Sequence, residues 1–437
     1  MKNVATLDKI FALSKRRGFV YPAAEIYGGL NGVYDFGPMG VALKDKIKAM
    51  WTRDMRTSGK DIVFMDGSIL GQEKVWEASG HTANFSDPMV DCTNCKKRYR
   101  SDDDGFNIEK PCANCGKTAW TEERAFQLMF ETQLGAVSGS SSVAYLRPET
   151  AQSIFINFKN VLSTSRVKVP FGIAQIGKAF RNEITPKQFL FRVREFEQME
   201  MEFFCQPDTS KKDFTWWLEK RGNFYKKMGL DQSRVRFREH ATNELAHYSS
   251  YCTDVEYEFP FGWKELEGIA HRSCYDLSQH IKHSGKELSV FDEAVKESYV
   301  PHVIECSVGV DRLFLTLLFD SYREDEVEGE SRVYLAIKPS LAPVPAAFLP
   351  LMKKQTAAFK PTFEKIRDKF PEVVFDETGS IGKRYRRQDE IGPPLCFTYD
   401  YDSDNDLCVT VRNRDTLKQE RISIDKIEDY LLKTLAE

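Results

Sequence analysis

The sequence predicts an α+β protein of more than one domain, and three observations predict it. Residues 171–204 read as strand, loop and strand, and the second strand alternates apolar with charged positions. Beyond residue 332, strands and helices alternate over a short tail, the pattern of a small α/β unit. Two Cys-x2-Cys pairs, with sixteen residues between them, mark a small metal-ribbon insertion in the first part of the chain. A length of 437 residues suits two or three domains at roughly 150 residues each.

Composition excludes several classes. A hydrophobic fraction of 41% and a charged fraction of 29% are globular values, and no apolar run approaches the ~18 residues of a membrane helix. No membrane role is expected. The stretch LDKIFALSKRRGF is basic and amphipathic, but Asp8 interrupts it and no small-residue cleavage pattern follows, so it reads as the first helix of a cytoplasmic protein. A net charge of -3 offers no global attraction to nucleic acid, which leaves any such contact to local basic surface. Ten cysteines, four of them at metal spacing, indicate a reducing compartment rather than a disulfide scaffold.

Taken in order, Met39 to Met55 puts Leu43, Ile47, Met50 and Trp51 on one helical face directly after Gly37 and Pro38. That stripe fits either a core helix or a helix at an interface between two copies. Residues 88–120 hold Cys92, Cys95, Cys112 and Cys115; four thiolates fill a zinc ion's coordination sphere, so the metal would be structural. The acidic stretch from Tyr322 to Arg332, YREDEVEGESR, reads as a linker, dividing the chain into residues 1–330 and 331–437. In the tail, VYLAIKP reads as a strand and Pro345 to Phe370 as helical. VVFDETGS, LCFTYDY and LCVTVRN continue the alternation, and a last helix closes the chain.

The strand-loop-strand segment carries the chemistry. Alternation over FLFRVREFEQMEMEFF sends Arg192, Arg194, Phe196, Gln198, Glu200 and Glu202 to one face. Phe191, Val193, Met199, Met201 and Phe203 go to the other, with Glu195 and Glu197 as exceptions. Arg181 on the partner strand faces the same region. Arginine forks bind phosphate oxygens, an aromatic ring stacks with a base, and carboxylates hold an ammonium, so one surface could receive a nucleotide at one end and an amine at the other. The apolar helix from Val308 to Asp320 brings Asp311 and Arg312 into its first turn after Gly309, with Glu305 and Ser307 just before it. No GxxxxGK(S/T) phosphate loop is present in the sequence.

At these residues a resemblance becomes specific. FRNE at 180–183, Arg192-x3-Phe196 and Gly309-Val310-Asp311-Arg312 resemble motifs 2 and 3 of class II aminoacyl-tRNA synthetases. KRRGFVYPAAEIYGG, VYDFGPMG, VWEASGHTANFSDPMVDC, FQLMFETQLG, AYLRPETAQSIFINFKNV, FRVREFEQMEMEFF, PHVIECSVGVDR and GSIGKRYRRQDEIG resemble the homodimeric glycyl-tRNA synthetase family over nearly the whole chain. The resemblance implies an antiparallel catalytic sheet of roughly six or seven strands with helices, a helix around Gly37 to Trp51 at a dimer interface, and a C-terminal α/β anticodon-binding domain.

It also implies ligands, residue by residue. ATP contacts fall on Arg181, Asn182, Glu183, Phe191, Arg192, Val193, Arg194, Glu195, Phe196, Glu265, Leu266, Gly309, Val310, Asp311 and Arg312. Glycine contacts fall on Arg100, Glu149, Phe196, Glu197, Gln198, Met199, Glu200, Glu305, Cys306, Ser307, Val308 and Gly309. The implied activity is that of a glycine–tRNA ligase: glycine and ATP give glycyl-adenylate, and glycine passes to the 3′ end of tRNA-Gly, with Mg2+ as helper. Arg181 and Arg312 are the catalytic arginines of this reading, Arg192 holds distal phosphates, and the ionised glycine carboxylate needs no general base. Glu265 and Glu305 suit either the metal or the ammonium. In the tail, Lys383, Arg384, Arg386 and Arg387 around Tyr385 become an anticodon contact. An accessory nucleic-acid-binding protein, or a class II enzyme for serine, threonine or proline, are the competing readings. Two positions depart from the family pattern, Cys306 for proline and Ser153 for glycine, and both flank the expected glycine pocket. The zinc expectation rests on cysteine spacing, not on kinship.

Overall fold

The computed structural model describes residues 5–102, 105–135, 142–241, 243–245, 249–293, 296–327 and 329–436. Its first helix, Leu7–Arg17, starts where the Thr6 side chain accepts from Lys9 N and ends at Gly18, whose φ of 72° closes it. The helix Pro38–Arg56 follows a proline at its first position and buries Leu43, Ile47, Trp51 and Met55, one per turn. Met50, expected on the same stripe, is only partly buried. Gly40 lets this helix approach closely, since a Cβ there would meet Phe19 O at 2.0 Å.

The larger unit is built on a seven-stranded sheet. Its strands in chain order are β1 (Ile62–Phe64), β2 (Phe171–Phe180), β3 (Glu195–Cys205), β4 (Val235–Glu239), β5 (Tyr251–Phe259), β6 (Gly262–Ser273) and β7 (His302–Gly309). They lie in the order β4-β5-β6-β7-β3-β2-β1, antiparallel except where β1 joins β2. This is the antiparallel catalytic sheet expected.

Period-two alternation then decides what each face does. Met199, Met201 and Phe203 of β3 and Ile304, Cys306 and Val308 of β7 enter one core with the helices Pro38–Arg56, Ser210–Met228 and Val310–Ser321. On the opposite face, Phe204 and Val303 pack under the helices Ala151–Ser165 and Tyr275–Ser284. Those helices cover only that end. The other end of the same face carries Phe196, Gln198, Glu200, Glu305 and Ser307 and forms the floor of a cleft.

The tail has its own core around a five-stranded sheet ordered Val374–Phe375, Ala346–Pro350, Leu395–Tyr399, Cys408–Asn413, Gln419–Ser423. The expected helix from Pro345 to Phe370 is corrected here: Ala346–Pro350 is a strand, and the helix runs only over Thr356–Arg367. Every residue of Ala346–Pro350 is buried between layers, so the run has no alternation to betray it.

The expected linker is corrected too. Tyr322–Val327 and Glu330–Leu335 pair as an antiparallel hairpin, with Glu328 outside the described residues. Arg332 is fully buried in it, bonded to both Asp325 oxygens at 2.8 and 2.6 Å and to Arg414 O at 2.9 Å. The hairpin packs on the helix Ile381–Ile391, whose Glu390 accepts from Arg16 at 3.0 Å and from Arg17 of the first helix. No helix among the described residues is long and apolar enough to cross a membrane.

Candidate active site

A cleft of 620 Å³ opens over the polar half of the sheet and divides by charge. At one end stand three arginines. Arg181 donates from Nε to Pro148 O at 3.1 Å and lies between the rings of Phe85 and Phe196, at 5.4 and 5.3 Å. Arg192 pairs with Glu183 at 2.6 Å. Arg312 pairs with Glu265 at 3.3 Å and sits 4.5 Å over the Phe191 ring. All of these residues except Phe85 and Pro148 line the cleft together with Glu149, as do Val193, Leu266, Gly309 and Asp311.

At the other end Glu149, Gln198, Glu200, Glu305 and Ser307 line the wall. Thr150 donates its backbone N–H to Glu200 at 3.0 Å and its hydroxyl to the same oxygen. Arg272 bridges Asp276, at 2.7 and 2.9 Å, and Glu305. Burial and the neighbouring Glu149 charge raise Glu200 above the usual carboxylate range. Burial pushes Glu305 up to about 7, with Arg272 opposing and Glu200 and Glu149 adding to it. Glu149 goes the other way: burial would raise it, but the His81 ring, Arg272 and the Gln152 amide hold it below the usual range.

Several expected contacts are turned elsewhere. β3 begins at Glu195, so Arg192 and Arg194 precede the strand and do not share its alternation. Arg194 donates to Glu183 O at 2.9 Å and Asn31 O at 2.6 Å, tying two loops. The two charged exceptions have partners of their own: Glu195 pairs with Lys178 at 2.7 Å, and Glu197 pairs with Lys44 and Lys48 at 3.0 and 3.4 Å. Met199, Cys306, Val308 and Val310 lie in the hydrophobic core, and Asn182 donates its backbone N–H to Leu128 O at 2.7 Å without lining the cleft. Arg100 pairs with Asp87 at 3.0 Å and Asp102 at 2.8 Å, within reach of the Glu183 charge but off the cleft wall. The two departures do not project into the cleft either. Cys306 faces the core, and Ser153 Oγ bonds Thr150 O and Gln175 Nε2, each at 2.9 Å.

Arg272, Asp276, His81 and Phe85 were invisible to motif spacing. Arg272 is the penultimate residue of β6, and its partner Glu305 is 33 residues away. A His-Cys-Asp trio, His240, Cys252 and Asp254, also borders the cleft, and Arg238 donates to Asp254 at 3.1 Å.

Away from the cleft, Ser86–Asp91, Arg98–Arg100 and Arg124–Gln127 make a small sheet carrying the cysteines. Cys92 and Cys115 sulfurs are 3.6 Å apart, Cys95 and Cys112 sulfurs 3.7 Å. Tetrahedral Zn–S bonds of ~2.3 Å need about 3.8 Å between sulfurs, so the four thiols fit a zinc ion. In each knuckle a backbone N–H returns to the first cysteine's carbonyl, Lys96 to Cys92 and Gly116 to Cys112, both at 2.8 Å. In the tail, Arg384 is corrected from the expected basic surface. It is 4% exposed and donates to Gly379 O and Pro350 O. Arg387 is held by Asp376 at 2.8 Å, while Arg386 is half-buried and Lys383 is exposed.

Residues 138–322 match the tRNA synthetase class II core domain (G, H, P, S and T), and residues 346–434 match the anticodon binding domain. The glycine–tRNA ligase of Caldanaerobacter subterraneus is 50% identical over 98% of this chain and 98% of its own. Those of Clostridium acetobutylicum and Geobacillus thermodenitrificans are each 48% identical over 99% of this chain, and over 99% and 98% of theirs.

Proposed function

The chain belongs to the glycine–tRNA ligase family, and from that premise we propose that the cleft activates glycine with ATP and passes it to the 3′ end of tRNA-Gly. One observation carries the reading: three arginines and a group of buried carboxylates line one cleft, and Phe196, beside Arg181, lies four residues along β3 from Glu200. That polarity matches a substrate pair with phosphates at one end and an ammonium at the other.

Within it, the glycine carboxylate attacks the α-phosphate, where Arg181 faces the growing charge. Arg192 and Arg312 hold the distal phosphates once these displace Glu183 and Glu265. The attacking group is already ionised, so positioning and electrostatics suffice. Mg2+ bound with ATP supplies charge neutralisation at the leaving pyrophosphate. Glu265, half-exposed beside Arg312, suits that metal. Glu305, buried beside Arg272 and Glu200, suits the ammonium with Glu149 and Glu200. A glycine site with no room for a methyl group would reject alanine by overlap, so no editing step is needed.

The four cysteines hold a structural zinc ion, and Lys383 and Arg386 offer the tail's contact to the anticodon arm. A homodimer would cover the exposed Ile26 and Tyr27, each 87% exposed, which precede the helix Pro38–Arg56, and Val41 on it. The protein works in the cytoplasm. ATP–pyrophosphate exchange with glycine, alanine, serine, threonine and proline in turn tests the reading. Exchange with glycine alone supports it; exchange with another amino acid, or with none, returns the chain to the competing readings.

A further inference from the structure

The string VWEASGHTANFSDPMVDC holds no cleft-lining residue, yet its His81 reaches the cleft wall from behind. The ring is framed by Trp76 and Phe85, each with its centroid 5.4 Å away. Nδ1 lies 2.8 Å from Ser79 Oγ, and Nε2 lies 3.3 Å from Glu149 Oε2, with the two side chains 12% and 15% exposed.

The proton balance along this chain is informative. Ser79 Oγ carries one proton and has two acceptors in reach, Nδ1 and Trp76 O, the latter at 3.2 Å. If the hydroxyl donates to Nδ1, the ring is neutral and its single proton sits on Nε2. If it donates to Trp76 O, Nδ1 donates to Ser79 Oγ instead, a contact that the Nδ1–H tautomer or the doubly protonated ring satisfies. An N–H at Nε2 is the form that satisfies the Glu149 carboxylate 3.3 Å away. Gln152 Nε2 holds the carboxylate's other oxygen at 3.2 Å, so the group is oriented by two donors.

We infer that His81 is a positioning residue for the amino-acid substrate, fixing the Glu149 carboxylate that receives the substrate's ammonium. The inference rests on the reading of Glu149 given above. It explains why a buried acid stays ionised there, since the ring offsets the burial that would otherwise neutralise it. The role is one of orientation and charge, as a second histidine nitrogen held by a hydroxyl keeps the first aimed at its acceptor.

The test is glycine and ATP dependence of pyrophosphate exchange in His81→Phe, which packs between the same rings without a donor, and His81→Gln, whose amide replaces the Nε2 donor. His81→Phe is expected to raise the glycine KM roughly 10- to 100-fold, the effect of removing a hydrogen bond to a charged group, while the ATP KM stays within about twofold. His81→Gln is expected to keep most of the glycine affinity. An unchanged glycine KM in His81→Phe, equal losses in both variants, or a parallel rise in the ATP KM would make His81 a packing residue and overturn the inference. If His81→Phe does not fold, Ser79→Ala carries the test, because it leaves the ring in place: a selective rise in the glycine KM supports the role and none overturns it. Wild-type protein without glycine-dependent exchange overturns the reading of the cleft itself, an outcome separate from a normal wild type with an indifferent His81→Phe.

Discussion

Glu202 on β3 stands directly across from Glu305 on β7, and both side chains are buried. Neither Glu202 oxygen has a hydrogen-bond partner, and burial, with the Glu305 charge beside it, holds this carboxyl well above the usual range. Glu202 is therefore a neutral acid at the back of a charged group.

That sets a sign for stability. A carboxyl raised in the folded state favours the fold while protonated, and the advantage is lost as pH rises past its ordinary value of 4.5. Glu202→Gln stays neutral, so it is expected to melt higher than wild type at about pH 8, with the gap closing near pH 4. Thermal melts at the two pH values check this. A loss at pH 8 that shrinks near pH 4 would show instead that Glu202 works as a charge.

Glu305, pushed up to about 7, predicts a pH dependence for glycine. Above that value it is ionised and attracts the ammonium; below it the attraction fades. The glycine KM is expected to fall between about pH 6 and pH 8 and to lose that slope in Glu305→Gln. A flat wild-type profile, or one shared by the variant, would remove Glu305 from the ammonium site.

Arg181→Ala is expected to slow exchange by about two to three orders of magnitude, the cost of one preorganised donor, with the fold intact. A near-normal rate would take the α-phosphate assignment away from Arg181.

Cys92→Ser and Cys112→Ser, one in each knuckle, are each expected to take bound zinc from about one equivalent per chain to none and to leave exchange measurable. Metal analysis of the purified proteins decides. Undiminished zinc would place the ion elsewhere.

Lys383 and Arg384 are adjacent in sequence, one exposed and one buried. Lys383→Ala is expected to lower the salt slope of tRNA binding by about one. Arg384→Ala is expected to lower stability instead, because it empties a buried site lined by carbonyls and leaves the slope unchanged. A slope change in Arg384→Ala would put that side chain on the RNA.

The residues that sequence placed well are those with a local pattern. Phe196, Gln198 and Glu200 fall on the cleft because a strand alternates every second residue, and the four cysteines meet because short spacing forces them to. Arg194 escaped the pattern since it lies one residue before the strand begins. Arg272 and His81 act through partners far along the chain, at Glu305 and Glu149, and no local period encodes such a meeting. Ala346–Pro350 was misread because a strand buried on both faces is a plain apolar run. YREDEVEGESR was misread because its charges look solvated, whereas Arg332 and Asp325 spend theirs on each other.

That hairpin also bears on how the gene could be cut. A boundary at residue 330 would separate Asp325 from Arg332, which also reaches Asp389 and Arg414 O. Asp325 is 27% exposed and Arg332 keeps Asp389 and Arg414 O, so the cut costs about 1.5–3 kcal/mol, the range of a hydrogen bond to a charged group. A tail expressed from residue 331 would start with that penalty. A tail that begins at residue 322 keeps the hairpin whole, and is the half that should be expected to stay in solution.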